Sequence, residues 1–233
     1  MTSTHAQFFS SLTSRVQSFK SRVTSGVVVG AVAVGAVVAG SAAVSASPVD
    51  QSVRAGAHSA AQRADVNSGA RLATAGAVVS LAEKQVGIKA DASGQTKFHQ
   101  WFESTPDAKQ LARRDGGNVK DYKGAAWCDM FVSWVGAQAG VKHMGRDAYT
   151  VAHAKWFQKT HRWGEKPTPG AVVFFSWNGG GTEGIDHVGL VVKDNHDGTI
   201  TTVEGNTSGD VVAKKIRPTS DVIGYGYPEY AAG

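Results

Sequence analysis

The fold is decided by residues 187–206, which read HVGLVVKDNHDGTITTVEGN. Two runs rich in Val, Ile and Thr flank the dipeptide Asp197-Gly198, a strong signal for a β-hairpin turn. Further runs typical of strands lie before and after this stretch, AVVFFSW at residues 171–177 and VIGYGY at residues 222–227. The pattern predicts an antiparallel sheet in the second half of the chain.

Helical periodicity precedes these strands. The segments TAGAVVSLAEKQVG (residues 74–87) and WCDMFVSWVGAQAG (residues 127–140) each place apolar residues on one helical face and end in glycine. A third, weaker helix is predicted in VAHAKWFQK, residues 151–159. Helices followed by antiparallel strands predict an α+β domain that begins near residue 74.

The first 46 residues have the layout of a secretory signal peptide. A basic region with Arg15, Lys20 and Arg22 precedes the uncharged segment GVVVGAVAVGAVVAGSAAVSA, which ends in small residues. We predict cleavage after Ala46, with a retained transmembrane anchor as the alternative. Residues 47–73 contain few large apolar side chains, which predicts a flexible linker. The product is then extracellular and meets a membrane only through its leader.

The composition excludes some partners. The chain carries 24 Lys and Arg against 19 Asp and Glu. Three of the basic residues belong to the leader, so the rest of the chain has 21. No dense basic run remains, so we expect no nucleic-acid partner. No pair of His or Cys residues has the spacing typical of zinc ligands, so we predict no metal and no other cofactor.

Cys128 is the only cysteine in the chain. A single cysteine cannot form an intramolecular disulfide, and a leftover thiol in a secreted protein is either buried or used. At the start of a helix, unpaired N–H groups and the helix dipole favour the thiolate, and the same N–H groups can bind an oxyanion. Cys128 is therefore a candidate nucleophile, with an inert buried thiol as the alternative.

His187 is the candidate general base, because it heads an apolar strand. If Asp197-Gly198 forms the turn, His187 faces the segment around residues 204–208. Glu204 and Asn206 are two positions apart and point to the same side of a strand, so one or both reach the imidazole. An acceptor there would orient the base, as in a nucleophile–base–orienter triad. The alternative is that these polar residues only end the strand.

Five motifs occur in an order that resembles one known family. They are TKFHQWF (96–102), AAWCDMFVSWVGAQAG (125–140), PGAVVFFSWNGGG (169–181), DHVGLVV (186–192) and TTVEGNTS (201–208). Together they resemble the CHAP family, the cysteine, histidine-dependent amidohydrolases/peptidases. The resemblance covers roughly residues 74–228, and we assign residues 74–233 as the catalytic domain.

The resemblance implies a papain-like α+β fold, with N-terminal helices packed on an antiparallel β-sheet. It places the nucleophile on Cys128, the general base on His187, and the orienting acceptors on Glu204 and Asn206. It also implies a substrate, the amide bonds of bacterial peptidoglycan. We therefore expect a secreted, cell-wall-associated monomer that acts as an N-acetylmuramoyl-L-alanine amidase or an endopeptidase.

Two departures and two alternatives accompany this expectation. Some family members carry an acidic calcium-binding loop before the cysteine. Here the corresponding segment, NVKDYKGAAW at residues 118–127, has Asp121 as its single acidic residue. In addition, no region resembles a cell-wall-binding repeat. Among the aromatic residues, Trp177 is the one that we expect to contact substrate. The alternative functions are a catalytically silent wall-binding module and a cysteine amidohydrolase with a non-wall substrate.

Overall fold

The computed structural model describes residues 73–231. The predicted signal peptide (residues 1–46) and residues 47–72 of the predicted linker lie outside this range. Within it, helices come first and strands follow, so the predicted α+β class is confirmed.

The helices and strands of the described region have the following bounds. The α-helices are α1 (Ala75–Glu83), α2 (Lys97–Ser104), α3 (Ala108–Arg114), α4 (Cys128–Gln138) and α5 (Thr150–Lys159). The strands are β1 (Trp163–Gly164), β2 (Val172–Phe175), β3 (His187–Asp194), β4 (Thr199–Thr207), β5 (Val211–Pro218) and β6 (Val222–Gly226). None of the helices between residues 73 and 231 has the length and apolarity needed to cross a membrane.

The strands form one antiparallel sheet in the order β1-β6-β2-β3-β4-β5. The predicted hairpin joins β3 to β4, and Leu190 pairs with Val203 across it. Its turn places His196 and Gly198 at positive φ angles of 60° and 83°. Glycine adopts this backbone region without strain, which explains why the Asp-Gly signal was informative.

The helices cover one face of the sheet. The core between them is dominated by Phe98, Phe102, Phe131, Val135, Val172, Phe174, Val188, Leu190 and Val203. A smaller apolar cluster lies on the opposite face and comprises Ala171, Val173, Phe175, Val191, Ile200 and Tyr225. Alternation along each strand therefore buries side chains on both faces of the sheet.

Helix α4 is central to this packing and lies against β3, β4 and α2. Most of its residues are buried, including the polar Asp129 and Ser133. Gly205 allows the start of α4 to approach β4 closely. A Cβ atom added at Gly205 would lie 2.7 Å from Phe131 Cβ and 2.8 Å from Trp127 Cζ3. The missing side chain thus brings the first turn of α4 against the end of β4.

Candidate active site

Cys128 is the first residue of α4, as predicted, and is 5% exposed. Trp127 occupies the N-cap position and makes no side-chain hydrogen bond to the helix start. The first-turn N–H groups of a helix have no partner inside the helix. Since no capping side chain takes them here, these groups are available to stabilise negative charge beside the thiol.

The loop that leads into Cys128 is held by His99, which is buried on α2. His99 Nδ1 accepts a hydrogen bond from the Thr96 backbone N–H (3.0 Å), and its Nε2 donates to the carbonyl oxygen of Ala125 (3.1 Å). Burial lowers the pKa of His99, which agrees with a neutral ring protonated on Nε2. This role of His99 was not predicted, although the residue lies within the motif TKFHQWF.

His187 is the first residue of β3 and joins two side chains of the site. Its Nε2 donates to Glu204 Oε2 over 3.0 Å. The Cys128 side chain also interacts with His187. Because Nε2 is bonded to Glu204, Nδ1 is the ring nitrogen available to the thiol. The structure therefore brings three of the predicted residues together in the order Cys128, His187, Glu204.

The surroundings of His187 favour its protonated form. Burial alone lowers the pKa of this imidazole, but hydrogen bonds and opposite charges from Cys128 and Glu204 outweigh burial and raise it to about 9. At neutral pH the ring is then an imidazolium beside the sulfur of Cys128. This arrangement is typical of an activated cysteine nucleophile.

Glu204 is fully buried and accepts hydrogen bonds from three side chains. Besides His187, these are the hydroxyl of Thr202 (2.5 Å to Oε1) and the guanidinium of Arg217 (Nε to Oε1 2.9 Å, Nη2 to Oε2 2.6 Å). Burial raises the pKa of Glu204, but Arg217 and His187 together lower it to about 2. The carboxylate is therefore ionised at neutral pH.

Arg217, on β5, is a residue that the sequence analysis missed. Its guanidinium carbon lies 5.4 Å from the ring centroid of Trp177 and 5.8 Å from that of Phe175, in cation–π geometry. Arg217 thus contacts both the orienting carboxylate and the aromatic residues around it.

Asn206 is not equivalent to Glu204. It has a positive φ of 55°, and the pairing of β4 with β5 is irregular between Glu204 and Thr207. Among residues 73–231, no hydrogen bond joins Asn206 to His187; the acceptor at Nε2 is Glu204. The catalytic role of Asn206 stays a prediction.

Trp177 follows β2 and is 46% exposed, which is unusual for a large apolar side chain here. Its ring centroid lies 5.4 Å from that of His187, and its ring is parallel to that of Phe175 at 6.2 Å. Trp177 therefore forms the solvent-facing wall beside the imidazole. Its contact with substrate stays a prediction.

A third buried histidine, His153, is hydrogen-bonded to the residue that follows the nucleophile. Asp129 follows Cys128 and accepts a hydrogen bond from His153 Nδ1 (2.7 Å), while His153 Nε2 donates to the carbonyl oxygen of Met144 (2.7 Å). Burial lowers the pKa of His153, but the charge and hydrogen bond of Asp129 raise it above its ordinary value. This buried hydrogen bond between Asp129 and His153 ties α4 to α5 and was not predicted. Within residues 73–231, no three His, Cys, Asp or Glu side chains are grouped to hold a metal ion.

The family comparison agrees with this geometry. Residues 120–206 match the family model described as CHAP domain. This part of the chain is a CHAP domain. CHAP domains form a family of cysteine- and histidine-dependent amidohydrolases and peptidases, so the resemblance drawn from the five motifs is confirmed. No curated protein is significantly similar to the chain.

The matched segment contains Cys128, His187, Glu204 and Asn206. Two residues that hold the site together lie outside it: His99 precedes the CHAP match and Arg217 follows it.

Proposed function

We propose that this CHAP domain is a secreted hydrolase of amide bonds in bacterial peptidoglycan, with Cys128 as nucleophile, His187 as general acid and base, and Glu204 as orienting residue. The observation that carries the catalytic part is the continuous contact from Cys128 through His187 to Glu204 at the start of α4. The wall substrate is supported by the family resemblance, and secretion by the layout of residues 1–46.

The first half-reaction forms an acyl-enzyme. The Cys128 thiolate adds to the carbonyl carbon of the scissile amide, and the charge that develops on the carbonyl oxygen is stabilised by N–H groups at the start of α4. Collapse of this intermediate breaks the C–N bond. The leaving nitrogen takes the proton of the His187 imidazolium and departs as a neutral amine, which leaves the acyl group as a thioester.

The second half-reaction releases the acid. His187, now neutral, removes a proton from water, and the resulting hydroxide attacks the thioester carbon. The C–S bond breaks and the thiolate and imidazolium are restored, while the carboxylic acid product loses its remaining proton to solvent and leaves as a carboxylate. Glu204 exchanges no proton in either half, because its role is to hold the Nε2–H and to stabilise the imidazolium charge.

The decisive experiment incubates purified peptidoglycan with the wild-type protein, Cys128→Ser and His187→Ala, and identifies released fragments by mass spectrometry. We expect the wild type to solubilise the wall and each variant to be slower by about 10³-fold or more. New stem amino termini with intact lactyl groups identify an amidase, and new ends within stems or cross-bridges identify an endopeptidase.

The control is Asp107→Asn, which removes one member of an exposed ion pair with Arg146 and leaves the site unchanged. A variant of Cys128 or His187 that solubilises wall at the wild-type rate contradicts the catalytic assignment. A wild-type protein that binds wall without releasing fragments supports the silent binding module instead.

A further inference from the structure

The buried carboxylate of Glu204 makes its most extensive contact with Arg217. Two guanidinium nitrogens reach both of its oxygens, Nε to Oε1 at 2.9 Å and Nη2 to Oε2 at 2.6 Å. Two parallel charge-assisted hydrogen bonds of this kind fix a carboxylate in position as well as in charge. One of the two oxygens, Oε2, is also the acceptor of the His187 Nε2–H.

We propose that Arg217 is a positioning residue of the hydrolase, which clamps Glu204 as a fixed, ionised acceptor and so sets the orientation and charge of His187. The inference rests on the proposed function of the Cys128 site. It extends the site beyond the segment that matches the CHAP family, because Arg217 lies after residue 206, where the match ends.

The strand register shows that Arg217 does not lie directly opposite Glu204. The residue paired with Arg217 across the β4–β5 ladder is Ile200, whereas Glu204 is paired with Ala213. The arginine side chain therefore runs along the sheet face rather than to the residue opposite. The pair is thus specific to Glu204 and is not a by-product of strand pairing.

The aromatic residues tie the arginine to the histidine. Trp177 and Phe175 both lie within cation–π range of the Arg217 guanidinium, and both rings also contact the His187 ring, at centroid distances of 5.4 and 6.2 Å. The same two side chains thus pack against His187 and Arg217, two of the three partners of Glu204. A displacement of the guanidinium is then transmitted to His187 through the carboxylate and through this aromatic wall.

Few charged groups face this cluster. Glu204 meets His187 from β3, Arg217 from β5 and the hydroxyl of Thr202 on its own strand, while the other acid that acts on Arg217 is Asp221. Without the guanidinium, the buried carboxylate keeps only His187 and Thr202. It then takes up a proton more readily, since burial disfavours an uncompensated charge. A neutral Glu204 no longer stabilises the imidazolium that supports the Cys128 thiolate.

The test uses the single cysteine of the full chain as its reporter. The rate of alkylation of Cys128 by iodoacetamide is measured against pH in the wild type, Arg217→Met and Arg217→Lys, and the rate of wall hydrolysis is measured in parallel. We expect Arg217→Met to move the acidic limb of the alkylation rate up by about one pH unit or more. The turnover number falls about tenfold or more, with an unchanged KM. Arg217→Lys keeps the positive charge but cannot form the two parallel hydrogen bonds to Glu204. It should therefore move the acidic limb of the alkylation rate in the same direction by a smaller amount.

A double-mutant cycle separates positioning from a structural role. If Arg217 acts through Glu204, adding Arg217→Met to Glu204→Gln costs less than threefold further, although each single variant is impaired. The control is Arg146→Met, which removes an exposed arginine paired with Asp107 and leaves both profiles unchanged.

Three results overturn the proposal. They are an unshifted acidic limb in both Arg217 variants, additive losses in the cycle, and a higher KM at an unchanged turnover number, which marks Arg217 as a substrate contact. The alkylation profile needs no wall substrate. Failure of the proposed function therefore appears as an inactive wild type, and failure of the Arg217 proposal as an unshifted limb.

Discussion

At the scale of single residues, the two predicted orienting acceptors are not interchangeable. Glu204 is fully buried, hydrogen-bonded to His187 and held by Arg217, whereas Asn206 sits at an irregular point of β4 with a positive φ. A charged acceptor stabilises an imidazolium more strongly than a neutral amide does. The geometry therefore favours Glu204 as the group that orients the base.

Substitution of the two acceptors should separate their roles. We expect Glu204→Gln to lower the turnover number by roughly 10²-fold or more, and Asn206→Ala by less than tenfold. Cys128 and Glu204 together raise the pKa of His187 to about 9, and Glu204→Gln removes the negative charge of the second. The alkaline limb of the hydrolysis rate should then move to lower pH, because the imidazolium that protonates the leaving amine is lost earlier.

The measurement is the rate of wall hydrolysis against pH for both variants, with thermal unfolding as a check that each is folded. A larger loss in Asn206→Ala than in Glu204→Gln, or an unmoved alkaline limb in Glu204→Gln, contradicts this assignment.

The sequence predicted the partners of Cys128 better than it predicted the surroundings of Glu204. Hairpin geometry needs only a turn and a residue count, and it placed His187 opposite the correct segment. Strict alternation then put Glu204 and Asn206 on one side, but the irregularity before Thr207 breaks the two-residue period. Glycine within a strand is a signal for such a bulge and Asn tolerates a positive φ, but the segment EGNTS does not show which way the bulge turns Asn206.

At the scale of elements, periodicity identified the long elements and missed those that carry positioning residues. Helix α2 has eight residues, too few for a clear period, and its capping box uses His99 at the position where Glu or Gln is usual. Strand β5 carries Ile216, which is 71% exposed, while the neighbouring Arg217 turns towards Glu204. Hydrophobicity therefore does not predict this contact of β5, because an ion pair, and not an apolar contact, fixes the position of Arg217.

The contact between α4 and β4 depends on the absence of a side chain at Gly205. Gly205→Ala would place a Cβ 2.7 Å from Phe131 Cβ and 2.8 Å from Trp127 Cζ3. Both belong to the tightly packed core, so α4 must shift, at a cost of about 1–3 kcal/mol in the free energy of unfolding. The shift separates Cys128 from His187, and we expect slower alkylation of Cys128 together with the loss of stability.

Urea unfolding and the alkylation rate test this prediction. The matched control is Gly76→Ala on α1, where an added Cβ meets no atom within 4 Å. It should leave alkylation unchanged and stabilise the helix slightly, by up to about 1 kcal/mol. If Gly205→Ala has the stability and the alkylation rate of the wild type, the approach of α4 to β4 does not position the nucleophile.

At the scale of the whole domain, the site is assembled from both faces of the sheet. Cys128 belongs to the core under the helices, whereas Phe175, the partner of His187 across β2 and β3, belongs to the cluster on the opposite face. Residues directly opposite in an antiparallel pair share a face. The imidazole at the start of β3 therefore meets the thiol across the end of the sheet, and packing on both faces must be intact for the pair to form.

This arrangement makes the stability of the domain depend on pH in two windows. The pKa of Glu204 is lowered to about 2 from an ordinary value of 4.5, so its contribution is complete above pH 4.5 and is lost as the pH falls towards 2. The pKa of His187 is raised from 6.5 to about 9, so its contribution is complete below pH 6.5 and is lost as the pH rises through 9. The two shifts share the contact between His187 and Glu204 and are not summed; each corresponds to on the order of 3 kcal/mol.

We therefore expect the thermal midpoint of unfolding to be highest between about pH 4.5 and 6.5 and to fall on both sides. Calorimetry across pH 3 to 10 measures this profile, with Glu204→Gln as the test variant and the exposed Asp107→Asn as its control. Glu204→Gln should have a lower midpoint throughout the optimum and a shallower decline on both sides, because the carboxylate that links the two windows is gone. Asp107→Asn should follow the wild type. A wild-type midpoint that stays constant from pH 6.5 to 9, or a Glu204→Gln profile parallel to the wild type, contradicts the coupling of His187 to Glu204 in the folded domain.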